Sequence, residues 1–172
     1  MSATTDDDRP APPKPTREEA RLRRSAARLA AVQALYGMEM TGAARKSAEL
    51  EFEDRWIGAE IEGDQYREAD IDAFRALLRG AVEHQAEIDR LTDRALVERW
   101  PLGRIDATLR ALFRAAGAEI LARRTPPRVV ISEFVDVAKA FFGEGREAKF
   151  VNAVLDHVAR AARPDAFAGD PA

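Results

Sequence analysis

Arg17-Glu-Glu-Ala-Arg-Leu-Arg-Arg-Ser-Ala-Ala-Arg28 is the stretch from which the fold of this chain is read. Arg17, Arg21, Arg24 and Arg28 follow one another at steps of four, three and four residues. At about 100° per residue, such steps lay four guanidinium groups along one helical stripe. Val32 and Leu35 continue the stripe. One helix is therefore expected to begin as an exposed cationic rod and to end inside a core. A row of arginines suits a phosphate backbone. Simple pairing with Glu18 and Glu19 is the alternative.

Working outward, Thr16 followed by Glu19 forms a capping-box pattern, so the helix is expected to start there and to reach about Met40, before Thr41-Gly42. Its expected apolar face is Leu22, Ala26, Leu29, Val32 and Tyr36, with Gln33 interrupting it. Residues 1–15 carry Asp6-Asp7-Asp8 and four prolines, a composition that supports no core, and they read as a disordered tail. Further helices are expected over 43–59, from Asp70 to Arg99, where Gly80 either interrupts the run or permits close helix packing, and over 105–123, 129–142 and 147–162. Trp100-Pro-Leu-Gly103 punctuates the chain, because proline removes a helix donor and biases the residue before it to extended geometry. Pro164 is expected to begin a flexible C-terminal tail over 164–172. No strand pair is evident, so the chain reads as six or seven helices around one core.

The 172 residues suit one domain, and 46% apolar content supplies a core. No apolar run reaches the roughly 18 residues of a membrane span. An apolar secretory segment is lacking at the start, and there is no cysteine for a disulfide or thiolate site. A cytoplasmic protein is the expectation. The net charge of −3 hides an uneven distribution. Residues 14–28 and 123–163 are basic, whereas 49–72 are strongly acidic. An overall acidic balance therefore leaves an anionic partner open.

Catalytic patterns are scarce. His84 and His157 stand without a second ligand at metal-binding spacing, and Gly143-Glu-Gly145 lacks the ending of a phosphate loop. No enzyme activity, cofactor or metal is expected. Two amides lie in apolar runs, Gln33 and Asn152, and each must find a hydrogen-bond partner or face water. For Gln33, bracing of the helix and contact with a base edge fit equally well. Lys149-Phe150 pairs a cation with an aromatic, as RNA binders do, although Phe150 also fits a core position.

Four segments in order carry a resemblance. Arg24-Ser-Ala-Ala-Arg28-Leu-Ala-Ala-Val-Gln33-Ala-Leu-Tyr36 resembles the opening signature of the bacterial transcription antitermination factor NusB family. Trp100-Pro-Leu-Gly-Arg104-Ile-Asp106, with Leu109-Arg110, is similar to that family's central helix. Val130–Lys139 and Lys149–Asp156 resemble its two closing segments. The resemblance covers residues 17–163. It implies an all-α fold, a compact bundle of about seven helices in two packed helical subdomains, here spanning 16–163.

The same resemblance implies binding of boxA-type single-stranded RNA together with ribosomal protein S10 (NusE), within the RNA polymerase antitermination complex that serves ribosomal RNA operons. Matching positions place the RNA surface at Arg24, Arg28, Gln33, Lys149 and Phe150, and the S10-facing surface at Tyr36, Asp106 and Arg110. Ser25 and Ala26 stand where the family has basic residues, and Arg21 and Arg23, one turn earlier, are expected to compensate. Glu147-Ala148 adds a negative charge ahead of Lys149. Monomer and homodimer are both left open. Two alternatives remain at this point. One is the NusB-like fragment of an rRNA cytosine methyltransferase, whose catalytic cysteine this chain lacks; the other is a helical adaptor that binds no RNA.

Overall fold

Thr16 starts the first helix as its spacing from Glu19 predicts. In the computed structural model, the Glu19 N–H donates to Thr16 Oγ1 at 3.2 Å and the Thr16 N–H donates to the Glu19 carboxylate at 2.9 Å. The structure describes residues 10–11, 13–55, 60–61, 64–65, 69–96 and 104–170. Helix α1 (Arg17–Thr41) ends where Gly42 takes the left-handed conformation, φ 71°, which costs glycine little. Helix α2 (Arg45–Arg55) is mostly charged, and the rest of its expected span, 56–59, lies outside the described residues. A two-residue antiparallel ladder, Glu60–Ile61 against Asp64–Gln65, follows where no strand pair was anticipated.

The long helix expected from Asp70 divides into α3 (Ile71–Glu83) and α4 (Gln85–Ala95) at His84, which leaves Gly80 the second of its two expected roles. Gly80 has a packing role: a Cβ there would meet the Ala118 Cβ at 3.1 Å. Trp100–Gly103 lie outside the described residues. Helix α5 (Ala107–Ala122) is followed by α6 (Pro127–Phe142), which starts two residues earlier than expected because Pro127 fills the first turn, where its missing N–H is harmless. Helix α7 (Arg146–Ala162) completes the bundle.

Helix α5 is the hub. Leu109, Leu112, Phe113, Ala116 and Ile120 are all buried along it. Helices α1 and α3 pack against one part of α5 with α2 laid on α1 and α3, and α4, α6 and α7 pack against the rest. The all-α bundle thus consists of two helical groups sharing α5. Phe74, Phe113 and Phe134 are fully buried at its centre. The closest approach is at Gly117, where a Cβ would come within 2.4 Å of Ile88 Cγ2.

Two expectations about burial are corrected. The α1 face that enters the core is Ala27, Ala30, Ala31, Val32, Ala34 and Leu35, while Tyr36 stays 40% exposed. Small side chains let α1 approach α3 and α5 closely, so the alanines are chosen over the larger Leu22 and Leu29, which are only half-buried. The chain beyond Pro164 turns back as a short 3-10 helix, Pro164–Phe167. Phe167 is 7% exposed, with the guanidinium groups of Arg160 and Arg128 at 4.5 and 5.3 Å from its ring centre.

Candidate nucleic-acid interface

Helices α1 and α5 run antiparallel, and ion pairs at two levels fix their register. At one, Arg28 donates to Glu119 from Nε at 2.9 Å and from Nη2 at 2.7 Å. At the other, Arg110 donates to Glu39 from Nε at 2.9 Å and also from Nη2. Arg114 adds a 3.4 Å contact to Glu39 and two 3.0 Å hydrogen bonds to Asp89 of α4.

The cationic stripe enters the core one turn earlier than its sequence suggested. Arg17, Arg21 and Arg24 are exposed, but Arg28 is only 5% exposed. Its Nη1 lies 3.4 Å from Glu133 of α6, whose carboxylate also accepts from Ser25 Oγ at 2.9 Å. Burial pulls the Arg28 pKa down, yet the hydrogen bond and charge of Glu119, aided by Glu133, more than offset it and leave the pKa raised. Arg28 is therefore a nearly buried, paired cation at the back of α1's exposed turn, where the sequence predicts an exposed place on the RNA surface. Arg21 donates to Glu18 at 3.1 Å on the exposed surface, a pairing that solvent competes with. Arg24 meets no carboxylate among the described residues.

Gln33 is exposed, which resolves its position in an apolar run: the amide faces water and braces nothing inside. Lys149 is also exposed at the start of α7, next to Phe150, which is half-buried. The Phe150 ring meets Phe113 edge-on, with centres 6.0 Å apart and planes at 70°. The α1–α5 register sets Phe113 level with Ala34–Tyr36, so the Lys149-Phe150 corner lies at the height of Gln33 and Tyr36. Arg24 lies nine residues earlier on α1, about 13 Å along the axis. The expected cluster is thus drawn out along α1 and divided between its faces, since nine residues also turn Gln33 about 180° from Arg24.

On the surface expected to face a protein, Tyr36 and Asp106 are exposed. Asp106 caps α5, its carboxylate accepting from the Thr108 N–H at 2.7 Å. Arg110 is engaged by Glu39 and by the Ile105 carbonyl at 3.1 Å. Its hydrogen bond holds the Glu39 carboxyl below the usual carboxylate range against the opposing effect of burial. Glu119 and Glu133 escaped the sequence reading. A signal existed, since each is a carboxylate inside an apolar run, Ala-Gly-Ala-Glu-Ile-Leu and Val-Ile-Ser-Glu-Phe-Val. Among the described residues no cluster of His, Asp or Glu is arranged to hold a metal, and no helix is long and apolar enough to cross a membrane.

Comparisons with known proteins agree with this architecture. The transcription antitermination protein NusB of Rhodopseudomonas palustris (strain BisB18) is 52% identical over 156 residues, which is 90% of this chain and 92% of that protein. A structure of T. maritima NusB is 32% identical with a TM-score of 0.63, covering 84% of this chain and 96% of its own. A chain in the crystal structure of antitermination factors NusB and NusE in complex with dsRNA is 26% identical with a TM-score of 0.65, covering 81% of this chain and 98% of its own. A model of the NusB family matches residues 25–160, from the exposed turn of α1 to the last turn of α7. The chain belongs to the NusB family.

Proposed function

We propose that this protein is a non-catalytic transcription antitermination factor that binds boxA-type RNA together with ribosomal protein S10 (NusE) and supports transcription of ribosomal RNA operons by the RNA polymerase antitermination complex. The observation that carries this reading is the set of exposed polar groups on α1, in a chain whose fold matches a protein solved with NusE and dsRNA. Arg24 stands on the first turns of α1, and Gln33, nine residues on and about 180° around the helix, stands level with Lys149-Phe150. Arg21, Arg24 and Lys149 supply phosphate contacts, Gln33 offers an amide to a base edge, and Phe150 lends the exposed part of its ring to stacking. Arg28 holds α1 in place behind them. Tyr36 and Asp106 face S10, and Arg110 orients that end of α1 through Glu39.

An RNA mobility-shift titration tests the proposal, with boxA-type and scrambled RNA, each in the presence and absence of S10. Tighter, sequence-selective binding with S10 is expected. Equal retention of both RNAs with S10 present overturns the reading.

A further inference from the structure

A cleft of about 390 Å³ opens between α1, α3 and the end of α5, apart from the Lys149-Phe150 corner. Its size falls in the range of small-ligand sites, about 300–1,000 Å³. Resting on the RNA-binding reading above, we infer that this cleft seats one nucleotide of the bound strand, with its phosphate between Arg24 and Arg124 and its base against the apolar floor.

The register of α1 and α5 supports the phosphate site. With Arg28 opposite Glu119, one further turn along each helix brings Arg24 opposite the Arg123–Arg124 end of α5. Both Arg24 and Arg124 line the cleft, both are exposed, and neither meets a carboxylate among the described residues. Two unneutralised guanidinium groups facing one cleft repel each other, and an anion between them relieves that repulsion. The acidic residues nearby are mostly occupied. Glu119 is held by Arg28, and the Asp70 carboxylate caps α3 by accepting from the Ala73 N–H at 3.0 Å. Asp72 remains as an acceptor for a donor group of the nucleotide.

The floor is built for a flat apolar face. Ala76, Leu77 and Ala122 line it, and short side chains leave room for a ring that bulkier residues would exclude. The wall is anchored as well, since the Asp70 N–H donates to the Arg23 carbonyl at 3.0 Å and ties the start of α3 to α1 beside Arg24. The rim guanidinium groups suit a phosphate, and the Arg24 and Arg124 planes with the apolar lining offer flat surface to a base.

The test measures boxA-type RNA binding in the presence of S10 across a salt series, for the unaltered protein, Arg124→Ala, Ala122→Tyr and, on distant α4, Arg90→Ala. Arg124→Ala is expected to weaken binding about three- to tenfold and to flatten the log–log salt slope by about 0.7, the contribution of one phosphate on a single strand. Ala122→Tyr fills the floor and is expected to weaken binding severalfold with the slope unchanged. Arg90→Ala is expected to bind as the unaltered protein does. All three positions are exposed, so melting temperatures should stay together. Wild-type binding by either Arg124→Ala or Ala122→Tyr overturns the seat while leaving the antitermination reading intact. Failure of the unaltered protein to bind RNA with S10 overturns both.

Discussion

The Arg28 guanidinium grips the Glu119 carboxylate side-on, joining α1 to α5 directly below the exposed turn that carries Arg24. Breaking such a pair strands the buried partner charges, here two carboxylates, Glu119 and Glu133. Arg28→Ala is expected to destabilise the protein by about 3–5 kcal/mol, read as a lower urea midpoint. In the fraction that remains folded, the RNA salt slope should match that of the unaltered protein, whereas Arg24→Ala should flatten it by about 0.7. A slope change in Arg28→Ala without loss of stability would return Arg28 to the RNA surface.

The contrast between these two arginines shows how far the sequence could be read. Periodicity alone placed Arg17, Arg21, Arg24, Arg28, Val32 and Leu35 on one stripe, and the stripe does run from solvent into the core. What periodicity could not supply is the depth at which the helix meets its neighbours. That depth depends on the alanines that let α1 sink against α5, and on two glutamates more than ninety residues away in sequence. Gly80 stayed open between a helix break and close packing for a similar reason: its missing side chain serves contact with Ala118, a partner that only the fold reveals. Phe167 lay in a short polar stretch after a proline, so nothing local marked it as a core residue. The segments that carried the family resemblance were legible because each is contiguous. The cleft beside Arg124 was not, because its walls come from three helices.

Acid should weaken the far end of the α1–α5 contact. The hydrogen bond from Arg110 holds the Glu39 carboxyl below its ordinary value of 4.5, burial opposes this, and the charges of Arg110 and Arg114 reinforce it. A carboxyl lowered on folding stabilises the protein above its unfolded pKa, and that contribution disappears as pH falls through the folded pKa. Glu39→Gln is therefore expected to lower stability at pH 7 by less than about 1 kcal/mol, since the pair is partly solvated. The difference from the unaltered protein should shrink below about pH 4.5. Thermal melts at pH 7 and pH 3 check this; a gap that widens in acid would refute it.

The C-terminal turn is expected to behave as part of the core. Phe167 is sandwiched by Arg128 and Arg160, and Asp170 pairs with both. Phe167→Ala should cost about 3 kcal/mol and lower the melting temperature by roughly 6–12 °C. Phe167→Leu, which keeps most of the apolar surface, should cost less than half of that. Calorimetry on the two variants gives the comparison, and equal melting in all three proteins would show that the turn contributes nothing to the fold.

Asp106 carries two duties that one substitution can confuse. Its carboxylate caps α5 through the Thr108 N–H, and its charge faces outward where S10 is proposed to dock. Asp106→Lys would remove both, so a fall in S10 affinity could come from a frayed helix alone. Asparagine separates them, because it caps about as well as aspartate and bears no charge. Asp106→Asn is expected to keep the melting temperature within about 1 °C while weakening S10 binding severalfold, mainly through slower association at low salt. Asp106→Ala should add a stability loss of about 1 kcal/mol for the missing cap. Isothermal titration of S10 into each variant, beside its melting curve, separates cap from contact. S10 affinity that follows stability, unmoved in Asp106→Asn and reduced in Asp106→Ala, would confine Asp106 to the cap.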